Sequence, residues 1–172
     1  MNAGAAPDDA VVVVEVWRIA AEVTGDEIRA RAATSRQREC SEHAATSVSH
    51  TRGLTVLAGA PVRVGVDVEL VREHRYLDRL AQRAMTDAEW WRWRAEPGPD
   101  RARAFTQHWT RVEAYLKAIG VGVRGGLLTR PSGSWTVLDL AVGHRHCGAL
   151  AVEAAGRPVQ VLWRVLPLVE DA

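Results

Sequence analysis

The stretch Val62-Arg-Val-Gly-Val-Asp-Val-Glu-Leu70 decides how this chain is read. Val62, Val64, Val66, Val68 and Leu70 alternate with Arg63, Gly65, Asp67 and Glu69. Strict period two in a β-strand puts one set on each face, here one apolar and one polar. Asp67 and Glu69, two apart on the same face, lie roughly 7 Å from each other by strand geometry. Like charges so placed repel unless a cation neutralises them, and one hard cation can bridge the two. Taken alone, the segment reads equally well as a strand with a solvated face.

A second segment supplies the context. Residues 104–119 read as the best helix in the chain: Phe105, Trp109, Val112, Leu116 and Ile119 fall on one stripe, and Gly120 supplies a stop. Thr106, Thr110, Glu113 and Lys117 share a neighbouring, more polar face. Glu113 and Lys117 stand one turn apart in the order that favours a pair. As a pair they need no further meaning. Set beside Asp67 and Glu69, they are a third carboxylate and a cation, the donor set of a magnesium–diphosphate site. Carboxylates hold the metal, the metal bridges phosphate oxygens, and the lysine neutralises the remaining charge.

Gly65-Val-Asp-Val-Glu69, then Trp109-Thr-Arg-Val-Glu-Ala-Tyr-Leu-Lys117, then Gly120-Val-Gly122 resemble the motifs of the 4′-phosphopantetheinyl transferases of the surfactin-activating type. Ser47-Val-Ser-His-Thr51 is similar to that family's N-[LIV]-S-H-[ST], expected to end just before a hairpin leading into the Asp67/Glu69 strand. The likeness extends over about residues 46–166. It implies an α+β fold of two similar lobes, with 10–61 as a trimmed first lobe and 62–168 as the second. It implies transfer of the phosphopantetheine arm of coenzyme A to a serine of an acyl or peptidyl carrier protein. Asp67, Glu69 and Glu113 would then hold Mg2+, with Glu113 and Lys117 as catalytic groups. Ser49, His50, Arg52 and Lys117 would meet the phosphates of coenzyme A, and Trp109 would pack beneath the site. The same resemblance leaves monomer or homodimer open.

The chain departs from the family pattern in three places. Val112 stands where the family usually has a lysine, and Ser47 where it usually has asparagine. Only a strand and about one helix, with no Gly-Lys-Pro turn, precede His50. Arg29, Arg31, Arg36 and Arg38 are the candidates for the missing basic surface, or simply a solvated helix face. A second reading therefore stands beside the transferase: a repurposed relative that binds a carrier protein or acts on a small molecule without moving the arm.

Composition narrows the rest. At 172 residues and 47% hydrophobic, the chain is long enough for one buried core or two small fused lobes. With 22 basic and 21 acidic side chains the net charge is +1, which argues against a nucleic acid as partner, even for the Trp90/Trp91/Trp93 cluster with Arg92 and Arg94. No apolar run reaches the length of a membrane span. Cys40 and Cys147 show no staple or metal spacing, so a reduced, cytoplasmic protein is expected. His144 and His146 share one strand face and Cys147 the other, an arrangement better suited to a strand end than to a metal. Lys117 is the only lysine in the chain.

Along the chain, Val11–Ile19 reads as a strand and Gly25–Cys40 as a polar helix. Leu54–Ala58 and Val62–Leu70 read as a hairpin around Gly59-Ala-Pro61. Tyr76–Met85 has helical spacing, and Thr86-Asp-Ala-Glu89 is a capping box opening a helix over Asp87–Arg94. Glu96-Pro-Gly-Pro-Asp100 reads as a break before the Glu113 helix. Trp135–Val142, Cys147–Ala154 and Val159–Leu166 read as three antiparallel strands, the last two joined across Ala155-Gly-Arg-Pro158. Helices segregated from antiparallel strands make the class α+β.

Overall fold

The computed structural model of the protein describes residues 10–20, 44–122 and 130–165. The polar helix expected over Gly25–Cys40, with its four arginines, lies outside the described residues. The elements are strands β1 (Val12–Ala20), β2 (Ala45–Thr51), β3 (Leu54–Ala60) and β4 (Val64–Leu70). Helices α1 (Leu77–Ala84), α2 (Asp87–Arg94) and α3 (Gly98–Ala118) follow, then β5 (Thr136–Asp139), β6 (His146–Val152) and β7 (Val159–Val165).

The strands form two sheets, ordered β2-β3-β1-β7 and β4-β6-β5. Their apolar faces meet in one core, where Val12, Val14, Val16 and Val56 oppose Val66, Val68, Leu150 and Val152. Helix α3 covers the other face of the second sheet, packing Ala114, Tyr115 and Ala118 on Ala149 and Ala151. Helices α1 and α2 pack against the first half of α3 through Ala81, Ala84, Met85, Trp93 and Phe105. The class is α+β, as the residues predict.

The strand, which spans Val64–Leu70, has no solvated face. Val64 to Val68 are buried without a break, Asp67 included, because α3 lies where alternation alone puts water. Gly65 makes this possible. A Cβ there would lie inside the Ala114 carbonyl and 2.5 Å from the Ala118 nitrogen, so only glycine lets the helix backbone settle on the strand. At its C-terminal end, α3 closes in a Schellman motif. The Gly120 N–H donates to the Lys117 carbonyl at 3.1 Å and the Val121 N–H to the Leu116 carbonyl at 3.1 Å. Gly120, at φ 76°, takes the left-handed position.

Several sequence expectations are corrected by the pairing. β3 and β4 do not form a hairpin: β3 is a central strand, bonded to β2 on one side and β1 on the other, and the chain crosses to the second sheet through 61–63. The hairpin is β2–β3, turning at Arg52-Gly53, so Ser47–Thr51 is its first arm rather than its prelude. β7 does not pair with β6 either. Both edges of β6 are taken, by β4 and β5, so β7 runs on to pair in parallel with β1. The sheets therefore do not divide at residue 61. The strand read over Trp135–Val142 is shorter, with β5 spanning Thr136–Asp139. Helix α3 begins six residues earlier than read, at Gly98, with Pro97 as N-cap and Pro99 in the first turn. Proline is tolerated there because the first N–H groups have no partner inside the helix. Helix α2 matches the reading to the residue, with both bonds of the Thr86/Glu89 capping box formed.

Candidate active site

Seating α3 on Gly65 brings the second half of the helix over Asp67. The Lys117 ammonium donates to Asp67 Oδ1 at 2.7 Å and to the Val66 carbonyl at 3.2 Å. The four-residue spacing to Glu113 predicts a pair along the helix surface, but the lysine turns to the strand. Asp67 is 4% exposed, and a carboxylate so buried needs a charged partner. Its Oδ1 also accepts a hydrogen bond from the Ser49 hydroxyl at 2.8 Å. Its Oδ2 is buried with no hydrogen-bond partner.

Ser49 reaches Asp67 through a seam that sequence reasoning missed. Strands β2 and β4 belong to different sheets, yet three hydroxyls of β2 accept backbone N–H groups of β4. Ser47 takes Val66 N–H at 3.0 Å, Ser49 takes Val68 N–H at 3.3 Å, and Thr51 takes Leu70 N–H at 3.3 Å. The spacing is two on both strands, as the alternation of side chains requires. Thr51 also approaches Glu69, with its Oγ1 3.5 Å from Oε2. The signal in the sequence was Ser-x-Ser-x-Thr itself. What it lacked was the neighbour.

Glu69 and Glu113 complete the set. Burial raises the carboxyl of each above its ordinary range, and the Asp67 charge adds to the effect. Each of the two also feels the other or the Lys117 charge, so the three carboxylates and the lysine form one electrostatic unit. Among the described residues, no group of three or more His, Cys, Asp or Glu side chains is arranged, as it stands, to hold a metal ion. The donors nonetheless suit a hard divalent cation: three carboxylates, one with a buried oxygen that nothing satisfies.

The remaining sequence candidates are distributed around this unit. Ser49 is buried and engaged with Asp67, whereas His50 faces the opposite way and is exposed. Arg52 is exposed at the β2–β3 turn, its carbonyl 3.0 Å from His146 Nε2. That contact places the turn beside the end of β4 that carries Glu69, since His146 lies opposite Leu70. His146 is thus occupied in the fold, and Cys147 is a buried free thiol. Val112 is 5% exposed, a core residue as its stripe predicts. Trp109 packs on Phe105, with ring centroids 6.0 Å apart. Both line an open cleft of about 240 Å³ bordered by Glu69, Leu70, Leu77 and Leu80.

Two sheets with a covering helix set a strand Gly-x-Asp-x-Glu against a helical Glu-x-x-x-Lys. The chain belongs to the 4′-phosphopantetheinyl transferase superfamily, whose model matches residues 63–166. It is similar to the 4′-phosphopantetheinyl transferase HetI of Nostoc sp., at 30% identity over 125 residues, covering 64% of this chain and 52% of the relative. It is also similar to a phosphopantetheinyl transferase of Thraustochytrium sp., at 34% identity over 93 residues, covering 47% of this chain and 32% of that protein. The chain thus spans about half the length of the first relative and about a third of the second. No described helix is long and apolar enough to cross a membrane.

Proposed function

We propose that this protein transfers the 4′-phosphopantetheine arm of coenzyme A to the serine hydroxyl of an acyl or peptidyl carrier protein. The observation that carries the reading is the Asp67–Lys117 contact beneath two half-buried glutamates, in a chain of this superfamily. Asp67, Glu69 and Glu113 are the residues that would hold Mg2+. When bound, the ion would neutralise the diphosphate and polarise it toward attack. Glu113, whose carboxyl is raised by burial and by Asp67, accepts the proton of the attacking serine, for which a raised pKa is an advantage. The serine oxygen bonds to the phosphorus that carries the pantetheine arm. The phosphoanhydride bond to the nucleotide breaks, and adenosine 3′,5′-bisphosphate leaves. Lys117, still partly exposed on Asp67, offers its remaining donors to the diphosphate. His50 and Arg52, both exposed, are the contacts for the nucleotide phosphates. The apolar cleft beside Glu69 suits the pantetheine arm.

The test is to incubate the protein with Mg2+, coenzyme A and a panel of apo carrier proteins, and to record intact masses. The expected result is a gain of one phosphopantetheine arm, absent with Glu113→Ala. No gain on any carrier, together with no coenzyme A binding by calorimetry, contradicts the transferase. That outcome favours a repurposed relative, for which the buried Val112 in place of a cation is the supporting observation.

A further inference from the structure

We infer that Ser49 is a positioning residue that fixes the Asp67 carboxylate so that Oδ2 alone is presented to a divalent cation. This rests on the magnesium reading above and adds to it which oxygen is used and what holds it. Ser49 and Lys117 both bind Oδ1, at 2.8 and 2.7 Å. One comes from β2 below and the other from α3 above, so the carboxylate cannot rotate without breaking a contact. Oδ2 is left buried and unpartnered, an arrangement that costs stability unless something binds there. The Ser49 hydroxyl is itself held, because it accepts the Val68 N–H at 3.3 Å and must point its own hydrogen elsewhere. The same backbone that carries Asp67 therefore aims the hydroxyl at it.

The seam contains its own control. Ser47 makes the equivalent bond to Val66 N–H, at 3.0 Å, but the strand position next to that N–H is Gly65, which has no side chain to orient. Ser47 and Ser49 thus share the structural task and differ in the positioning task. Groups that orient a metal's direct ligands typically change affinity by about 10–100-fold when removed.

The experiment is a titration with Mn2+ alone, followed by paramagnetic resonance, on the full chain and its variants, with urea unfolding alongside. Ser49→Ala is expected to weaken Mn2+ binding at least about tenfold, and Ser49→Thr, which keeps the hydroxyl, to restore most of it. Ser47→Ala is expected to lose stability through the same kind of seam bond yet to bind Mn2+ within about threefold of the parent; a merely structural role would make Mn2+ affinity follow stability in both variants. Ser49→Ala binding as tightly as the parent, or Ser47→Ala binding as weakly as Ser49→Ala, overturns the inference and leaves the magnesium reading intact. A parent that binds no Mn2+ overturns both. If Ser49→Ala does not fold, the parent labelled with 15N-lysine carries the test, because Lys117 gives the single side-chain signal. Under the inference the Lys117–Asp67 pair survives addition of Mg2+. Release of the ammonium on Mg2+ binding overturns it.

Discussion

Among the described residues, helix α3 makes two ion pairs with strand-borne aspartates, and they are built differently. Arg111 meets Asp139 on β5 with a planar fork, Nε to Oδ1 at 2.7 Å and Nη2 to Oδ2 at 2.6 Å, and Gln107 adds a third bond at 2.9 Å. Both partners of that pair are about half exposed. Lys117 meets Asp67 through one oxygen only, inside the fold, and the other oxygen has no partner. A pair that serves structure closes its donors and acceptors, and water softens what is left. A buried pair with an open oxygen holds charge in readiness, at a cost to stability. The contrast separates scaffold from site on a single helix.

The sharpest way to break the contrast is to lift the helix from the strand. Gly65→Ala should destabilise the protein by about 3 kcal/mol or more, because the new methyl meets helix backbone rather than a side chain that can move. Urea unfolding measures it, and a variant as stable as the parent contradicts the packing argument. Next in size is Val112→Lys, which places a charge at a 5% exposed core position and should cost about 3 kcal/mol. A variant equally stable and tighter for coenzyme A would show that this position faces the ligand.

The two pairs themselves should respond in opposite senses. Asp139→Asn should change stability by no more than about 1 kcal/mol, as expected for an exposed pair, and leave transfer untouched. Glu113→Gln should lower transfer at least about hundredfold, the usual weight of a general base, with stability unchanged or raised because a repelling charge is gone. A loss of transfer in Asp139→Asn comparable to that in Glu113→Gln would erase the distinction.

The smallest effect is in pH. Glu69 and Glu113 are raised by burial and by Asp67, so above the ordinary glutamate value the folded state holds more protons than the unfolded one. Their contribution is fully present below about pH 4.3 and is lost as pH rises through the raised values. Glu89 behaves oppositely. Burial pushes its carboxyl up, but bonds from Arg130 and Thr86 outweigh that and hold it at about 2. Its contribution is fully present above about pH 4.3 and is lost as pH falls from there toward about 2. Unfolding measured from pH 3 to 7 should therefore flatten on the alkaline side in a Glu69→Gln/Glu113→Gln variant and on the acid side in Glu89→Gln. Identical profiles in the parent and both variants contradict the assignment.

What the sequence revealed depended on range. The α2 capping box and the buried Val112 are local, set by residues within a turn or two, and both were legible. The alternation of β4 was legible too, but not the burial of its polar face, because the covering helix lies more than forty residues on. Gly65 carried that information, and a glycine amid valines was the signal. The partner of β7 was not legible, since it depends on which sheet still has a free edge, and a tight Ala-Gly-Arg-Pro connection says only that the chain turns. Asp67 and Lys117 were read as members of one site, and they touch. Ser49 was read as a phosphate contact, and the structure engages its hydroxyl with Asp67, because the proximity of β2 to β4 is a property of two sheets rather than of either strand.

The most direct test of the account is diffraction from crystals grown with Mn2+ and coenzyme A, using the anomalous signal to place the metal. The account predicts one peak at about 2.0–2.6 Å from Asp67 Oδ2, with Glu69 or Glu113 among its other ligands and Lys117 still on Oδ1. A metal bound through Oδ1 with Lys117 displaced, or coenzyme A bound with no metal near Asp67, would contradict it.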